Sequence, residues 1–437
     1  MNREADWGRR ITAFAVTLCL GCSGRPHGPR EPALAPLTLE IGRAGAQLRG
    51  VAGDGERIYV AMSEGPRSTI EARRGHDLAW TTPLSGTAGP LARTPAVLVA
   101  SFAGTGDAGG GPVRGEPGAA LVGIDPATGS VRWRAALDST EWVAIAALAA
   151  SDDSVVVGGS FAGTLRLGAT VVASAGGGDG FVARVRAGDG AIEWLVRLGG
   201  ADADAIQGVA TAGARVVIAG TYTGAAELRG QSLPVADPPS IFADGFAAEL
   251  DARGQLVRWT AAFGSKLNDT VAGVAVVADG SVAVAATMRD VTHAGSAELT
   301  AHGPSDGLVA WLRPDGEQTA TSQLGGPDFD GLSAITAVGD YAVVGGFFAG
   351  KIRLGDRALA AGGGDDAFLA AVDEHGIVAQ AWQVGGEGRE EVVAVAPVPG
   401  GFVAGIAHTA RAAVDDVALP APADPTSGAA LVVRALP

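Results

Sequence analysis

The sequence predicts an all-β fold, a seven-bladed β-propeller with four-stranded antiparallel blades. Seven strand-like runs end at corresponding positions of a repeat, most clearly at a Gly-Gly or Gly-Ser pair. We call these seven end positions marks, and consecutive marks lie 43 to 65 residues apart. Each unit carries four strand signals, and a strand-rich repeat of this length is typical of radial or stacked arrays. The marks are Gly42, Ser85, Asp138, Gly199, Gly264, Gly325 and Gly385.

The third unit shows the four strand signals most clearly. They are Val143–Ala150, Ser154–Gly159, Asp179–Arg186 and Ala191–Leu198, with a tight turn at 188–190 before the last strand. Apolar side chains alternate along Asp179–Arg186, as a pleated strand requires. The same order recurs in the next three units, and because such sheets are apolar on both faces, neighbouring sheets must cover them.

The last unit lacks a strand that the start of the chain can supply. After Gly385 the sequence offers three strands, Val392–Ala396, Phe402–Ala407 and Ala429–Leu436, and Leu37–Ile41 precedes the first mark. Pairing the two ends would remove exposed strand edges. We therefore expect residues 37–437 to form a single propeller closed by strand 37–41. The tryptophans of the fourth strands are expected to pack between blades: Trp80, Trp133, Trp194, Trp259 and Trp382.

Composition excludes some function classes. The net charge is −15, with 47% hydrophobic residues and 67 glycines. An acidic body lacks the basic footprint that nucleic-acid binding needs, and the apolar content is too high for a disordered chain. We expect a monomer that binds no nucleic acid.

The N-terminus is typical of an exported chain. Arg9 and Arg10 precede an apolar run of ten residues, 11–20, which matches the core of a signal peptide and is too short to span a bilayer. The stretch Leu20-Gly21-Cys22-Ser23 resembles the lipobox of bacterial lipoproteins, although Cys19 stands where Leu is usual. The resemblance implies a signal peptide at 1–21, lipidation of Cys22 and, from Ser23, sorting to the outer membrane. Ordinary secretion with cleavage nearby is the alternative.

Two further features concern the segment that follows. Residues 22–36 carry Pro26, Pro29, Pro32 and Pro36, so we expect an extended tether. Cys19 and Cys22 are the two cysteines of the chain, so the folded body depends on packing and strand pairing rather than on disulfides.

Several motifs resemble a known repeat family. Val156–Ala162 nearly recurs as Val343–Ala349, Asp-Gly-Phe-Val-Ala precedes a hairpin at 179–183, and acidic residues follow the Gly-Gly pairs. These elements resemble the seven-bladed propeller repeat of bacterial surface proteins, which implies the fold and a surface location but no catalytic residues. Residues 125–133 also resemble the tryptophan-docking motif of quinoprotein propellers.

Two acidic sets recur with the repeat. One opens the third strand of its blade and is expected to cap turns: Asp179, Asp244, Asp306 and Asp366. The other lies five residues past each mark and is expected at one mouth of the central channel: Asp204, Asp269, Asp330 and Glu390. Backbone capping at strand starts is one interpretation of this second set. Calcium binding is the other, with Asp202, Asp328 and Asn268 as additional oxygen ligands.

The sequence offers few other chemical motifs. No nucleophile elbow, phosphate loop or zinc motif occurs, and the histidines are not at ligand spacing. The long connections between second and third strands share a rim with the fourth-to-first loops, and loops on a rigid scaffold often carry binding sites. Trp142, beside Glu141, is either partly buried at a strand start or free to stack on a sugar.

The leading functional hypothesis is a membrane-anchored, non-enzymatic binding or scaffold propeller of the bacterial envelope. An envelope protein or glycan is the expected partner, and calcium is the one cofactor considered. Two alternatives stay open: an outer-membrane assembly factor, and a lyase or hydrolase that uses the rim carboxylates.

Overall fold

The computed structural model describes residues 37–41, 45–104, 118–233, 242–294, 297–419 and 428–436. These residues form strands and turns, and none of them belongs to a helix long and apolar enough to cross a membrane. The predicted signal peptide, Cys22 and the predicted tether lie outside the described residues.

The strands of the first half are β1 Leu37–Glu40, β2 Gln47–Gly53, β3 Ile58–Glu64, β4 Arg67–Arg74, β5 Asp77–Ser85, β6 Thr87–Arg93, β7 Leu98–Ala103, β8 Gly118–Ile124, β9 Val131–Ser139, β10 Trp142–Ala150, β11 Ser154–Ala162, β12 Thr164–Leu167, β13 Thr170–Ala173, β14 Asp179–Arg186, β15 Ile192–Gly200, β16 Ala205–Ala212, β17 Arg215–Thr223, β18 Ala226–Leu228 and β19 Gln231–Ser232. Those of the second half are β20 Ala243–Leu250, β21 Leu256–Gly264, β22 Thr270–Val276, β23 Val282–Met288, β24 Val291–Ala294, β25 Ala297–Thr300, β26 Asp306–Leu312, β27 Gln318–Leu324, β28 Asp330–Val338, β29 Tyr341–Phe348, β30 Lys351–Leu354, β31 Arg357–Ala360, β32 Asp366–Val372, β33 Val378–Gly386, β34 Glu390–Val398, β35 Gly401–His408, β36 Ala412–Val414, β37 Val417–Ala418 and β38 Gly428–Ala435.

The arrangement is a β-propeller, but the prediction of seven four-stranded blades is wrong. Only three sheets of the described residues have four strands: β2–β3–β4–β5, β22–β23–β26–β27 and β34–β35–β38–β1. Six strands form each of four others: β6–β9 with β12–β13, β10–β11–β14–β15 with β18–β19, β16–β17–β20–β21 with β24–β25, and β28–β29–β32–β33 with β36–β37. The hairpin β30–β31 forms a two-stranded sheet.

The extra strands come from connections that the sequence analysis treated as long loops. Each of these connections, between the second and third strands of a sheet, folds into a hairpin. Four of the five hairpins pair with the outer strand of the preceding sheet, as when β12 joins β9 with Arg166 opposite Asp138. Such pairing gives partners to backbone groups that would otherwise lie on an exposed edge. This edge coverage is the physical reason for sheets of more than four strands.

The two ends of the described chain close the ring, as the sequence analysis expected. β1 pairs antiparallel with β38, with Leu39 opposite Leu431, and the N–H of Ile41 donates to the Ala429 carbonyl at 2.8 Å. The last sheet therefore gains its outer strand from the beginning of the propeller.

Tryptophans connect successive sheets. The indole N–H groups of Trp80, Trp133 and Trp194 donate to carbonyls of hairpin turns in the following sheet, at 3.0, 2.7 and 2.9 Å. Gly190, in the turn under Trp133, has φ +74°, and a Cβ there would lie 2.5 Å from the indole. The predicted packing between blades is confirmed for these three.

The two remaining tryptophans of the set pack differently. Trp382 packs on Phe402 of the next sheet, with ring centroids 5.4 Å apart, so the predicted packing between blades is confirmed for it as well. Trp259 contacts Phe246 of its own sheet, at 6.1 Å.

The inner strands surround a central channel. They are β2, β6, β10, β16, β22, β28 and β34. All run in the same direction, so their first residues share one face of the ring. One aliphatic residue of each inner strand lines both of two cavities, of about 400 and 300 Å³, and these residues form what we call the aliphatic ring: Val51, Leu91, Leu148, Val209, Val274, Ile335 and Val395.

Candidate functional site: carboxyl groups at the junctions between sheets

The second acidic set lies where inner strands begin. Asp330 and Glu390 open β28 and β34, and Asp204 and Asp269 directly precede β16 and β22. All four are buried, with 0 to 4% of their surface exposed. None of them lines either central cavity. The set therefore lies on the predicted face, but inside the junctions between sheets rather than around an open mouth.

Hydrogen bonds show how a carboxyl of this set connects two sheets. Asp204 accepts the N–H of Gly200, at the end of the preceding sheet's β15, at 2.7 Å. It also accepts the N–H of Thr223, at the end of β17 in its own sheet, at 3.1 Å. Its own N–H donates to the Gly178 carbonyl at 2.8 Å. One residue thus links the fourth strand of one sheet to the first two strands of the next.

The same pattern recurs at the other junctions with small changes. Asp330 accepts the N–H groups of Gly326 and Ala349 at 2.5 and 3.2 Å. Asp269 accepts the N–H of Arg289 at 3.3 Å. Glu390 differs, because its two buried carboxyl oxygens meet no hydrogen-bond partner among the described residues.

The first acidic set lies next to the second. Asp179, Asp306 and Asp366 each accept the backbone N–H of the residue four positions earlier, at 2.8, 3.0 and 3.2 Å. A glutamine or arginine of the fourth strand also donates to each. The predicted turn capping is confirmed for these three. A Cβ at Gly199 would lie 2.6 Å from the Asp179 carboxylate, so the first glycine of the Gly-Gly pair leaves room for it.

Burial raises the pKa of the second set toward neutrality. It is the largest cause for Asp204, Asp330 and Glu390, whose pKa values rise to about 7, and for Asp269, whose pKa rises to about 6. Like charge from the first set adds to the rise at three junctions: Asp179 beside Asp204, Asp306 beside Asp330, and Asp366 beside Glu390. Near pH 6 these carboxyls are therefore still partly protonated, whereas exposed carboxyls have released their protons.

The geometry of Asp204, Asp269 and Asp330 fits backbone capping. No group of three or more His, Cys, Asp or Glu side chains within the described part of the chain is placed to hold a metal ion. The two aspartates offered as extra ligands, Asp202 and Asp328, are exposed in the loops beside Asp204 and Asp330. Asn268 accepts the Ala243 N–H at 3.0 Å. Calcium binding at these carboxyls stays a prediction.

The fourth-to-first loops form one face, which we call the loop rim: residues 140–142, 201–204, 265–269, 326–330 and 386–389. Three large apolar side chains are exposed there, Trp142 at 41%, Leu267 at 40% and Phe329 at 58%. A Cβ at Gly178 would lie 3.0 Å from the Trp142 ring, so the indole packs over that backbone. Trp142 is thus partly buried, and the rest of its ring is accessible.

One polar cluster, at the opposite end of the channel, could not be predicted from the sequence. Tyr59 donates its hydroxyl to Asp54 at 2.7 Å, and the Arg93 Nε lies 3.4 Å from the same carboxylate. The Arg93 guanidinium also lies 5.9 Å from the centre of the Tyr59 ring. Arg93 stands 39 positions after Asp54, and no local motif links them. The cluster could be found only after β2, β3 and β6 had been placed side by side.

Comparisons with known proteins add little beyond the fold. No family model matches the chain, and the search of curated proteins finds no match. A europium-containing methanol dehydrogenase is similar at 12% identity over 92% of each chain, with a TM-score of 0.42. Hydrazine synthase of Kuenenia stuttgartiensis, at 12% identity, covers 82% of this chain and 92% of its own, with a TM-score of 0.47. The Dos1 propeller, at 10% identity, covers 91% and 94%, with a TM-score of 0.43.

The sequence identities and TM-scores of these matches carry no information on activity. Enzymes occur among the similar structures, and the identities are too low to transfer a role to any residue of this chain. The assignment as a β-propeller therefore depends on the strand order and closure of the chain itself.

Proposed function

We propose that the protein is a non-enzymatic binding propeller of the bacterial envelope, anchored through Cys22, which binds a protein partner at the loop rim. The observation that carries the proposal is the exposure of Trp142, Leu267 and Phe329 on one face of the ring. Large apolar side chains in a polar setting are typical of protein-binding surfaces, where aromatic residues supply much of the binding energy.

The charge of the rim supports a partner with basic groups. Glu141, Asp202 and Asp328 are exposed beside the apolar residues, and the chain carries a net charge of −15. A basic partner surface would be attracted to this acidic rim, whereas an acidic partner surface would be repelled by it.

The same geometry disfavours the alternative of an enzyme that uses the rim carboxylates. Their raised pKa values suit a general acid. However, Asp204 and Asp330 are buried and use both carboxyl oxygens on backbone N–H groups. A substrate at the rim would meet the exposed apolar side chains first.

Site-specific photo-crosslinking in intact cells tests the proposal. A photoreactive residue at 142 or 329 should give discrete adducts with an envelope protein. The matched control is position 377, because Ile377 is 60% exposed in a third-to-fourth strand turn on the opposite face. The loop rim is excluded as the binding surface if position 377 gives as many adducts as positions 142 and 329, or if those two rim positions give none.

A further inference from the structure

The junction between the last sheet and the first, which we call the closure seam, lacks a feature that five other junctions share. At those five, the hairpin between the second and third strands of a sheet places two side chains in the apolar core between that sheet and the preceding one. The two lie two positions apart, are 0 to 6% exposed and are apolar except for Thr292. The pairs are Leu165 and Leu167, Ala226 and Leu228, Thr292 and Ala294, Ile352 and Leu354, and Ala412 and Val414.

At the closure seam the corresponding connection is a turn of two residues. β3 ends at Glu64, β4 begins at Arg67, and these two residues are directly opposite each other. The first sheet therefore has no hairpin to send to the last one. β1, the outer strand of the last sheet, has no strand beside its outer edge among the described residues. The seam thus keeps an unpaired edge of the kind that hairpins cover at four other junctions.

A groove of about 450 Å³, which we call the seam groove, lies at this end of the first sheet. The register of β3, β4 and β5 places the side chains of its wall on one face of that sheet: Met62, Glu64, Arg67, Thr69, Pro83 and Ser85. Met62 belongs to the apolar core between this face and the last sheet, together with Leu431. The groove therefore continues that core toward the face of the ring that carries the loop rim.

The five hairpins indicate which kind of segment fills such a space. In four of them the residue between the two buried side chains is polar and exposed: Arg166, Glu227, His293 and Arg353. An extended segment with this alternation buries its apolar side chains on one side and presents the residue between them to solvent. Addition of an extended segment to an open sheet edge is a recurrent mode of peptide recognition.

We propose that the seam groove binds an extended segment of a partner protein. The segment adds a strand beside β1 and inserts two apolar side chains, two positions apart, next to Met62, while the residue between them stays in solvent. Glu64 and Arg67 are exposed at the groove, so charged groups of the partner can pair with them. The site uses none of the exposed apolar residues of the loop rim and so goes beyond the function proposed above.

Binding of a peptide to the full-length protein tests the proposal. The probe is a dye-labelled peptide with the sequence of residues 351–360, which form the β30–β31 hairpin, and fluorescence anisotropy measures its affinity. We expect saturable binding of one peptide per protein. A peptide that carries Ile352→Ser and Leu354→Ser keeps all charges and should bind about tenfold more weakly or worse. Equal binding of the two peptides, or no saturable binding of the first, overturns the proposal.

Variants of the protein locate the bound peptide. Thr69→Trp fills the seam groove and should lower affinity by about tenfold or more. Ser85→Trp fills it from the next strand and supplies the reading if Thr69→Trp does not fold. Thr81→Trp is the matched control, because Thr81 is exposed on β5 and does not line the groove. Unchanged affinity in a folded groove variant, or an equal loss in the control, overturns the proposal.

Phe329→Ser separates this site from the loop rim. It removes an exposed apolar side chain of the rim and should leave peptide affinity unchanged, even where it abolishes capture of a partner by the rim. Loss of peptide binding in Phe329→Ser would show that the peptide binds at the rim, and the seam proposal would then be wrong.

Discussion

Glu390 offers a direct test of how the junctions respond to pH. Its side chain is 1% exposed, and Asp366 lies beside it. Burial, followed by the charge of Asp366, raises its pKa to about 7 from the ordinary value of 4.5, while His408 lowers it. The folded protein therefore binds a proton here that the unfolded chain releases above pH 4.5.

The sign and size of the effect follow from this difference. A carboxyl whose pKa is raised in the folded state stabilises that state fully below its pKa in the unfolded chain. This stabilisation is lost as pH rises through the folded-state pKa. One pKa unit corresponds to about 1.4 kcal/mol, so ionising Glu390 lowers the free energy of unfolding by about 3 kcal/mol between pH 4.5 and pH 8. Glu390→Gln mimics the protonated form at all pH values and removes this loss.

Urea unfolding followed by tryptophan fluorescence from pH 4.5 to 8 measures the effect. Glu390→Gln should be close to the unmodified protein in stability at pH 4.5 and about 3 kcal/mol more stable at pH 8. Glu391→Gln, a change at the exposed neighbouring residue, is the control for loss of one negative charge. A stability difference between Glu390→Gln and the unmodified protein that stays constant with pH would refute the reasoning.

Three further predictions concern other features. Trp133→Phe removes the donor to the Ala187 carbonyl but keeps an aromatic ring, so it should lower the free energy of unfolding by about 1 kcal/mol. Gly190→Ala should lower the free energy of unfolding further, because the added Cβ meets the Trp133 indole and the backbone has a positive φ. Urea unfolding measures both changes. If the predicted calcium site exists, calcium should raise the melting temperature, and a triple variant with asparagine at 204, 269 and 330 should lose that rise; an unmodified protein that shows no rise excludes the site. Cys22→Ser should move the protein from the membrane fraction to the soluble fraction of cells, and an unchanged distribution would contradict lipid anchoring there.

The fold could be predicted largely because its signals are local and repeated. The strand β14 was expected at Asp179–Arg186 and lies there, since alternating apolar residues and a tight turn mark it in the sequence alone. The hairpin β12–β13 could not be predicted in the same way. Its strands are four residues each, and β12 pairs with β9 of another sheet, so the evidence for it lies outside its own sequence.

The candidate site was predicted in position but not in environment. The five-residue offset correctly placed Asp204 and Glu390 at the starts of inner strands. It could not show that the preceding sheet covers them, because burial depends on how two sheets pack. The offset also could not show that Asp366 lies beside Glu390, because Glu390 follows Asp366 by 24 positions in the chain.

The pairing of β1 with β38 has a consequence for the order in which the protein can be assembled. Leu39 pairs with Leu431, so β1 must wait until almost the whole propeller has been synthesised before its partner strand exists. Until then the growing chain is an open arc with an unpaired strand at its leading end, and such ends recruit other chains. Contacts so distant in sequence also form slowly. We therefore expect folding of the propeller to depend on protection of this open arc until its last strand is synthesised.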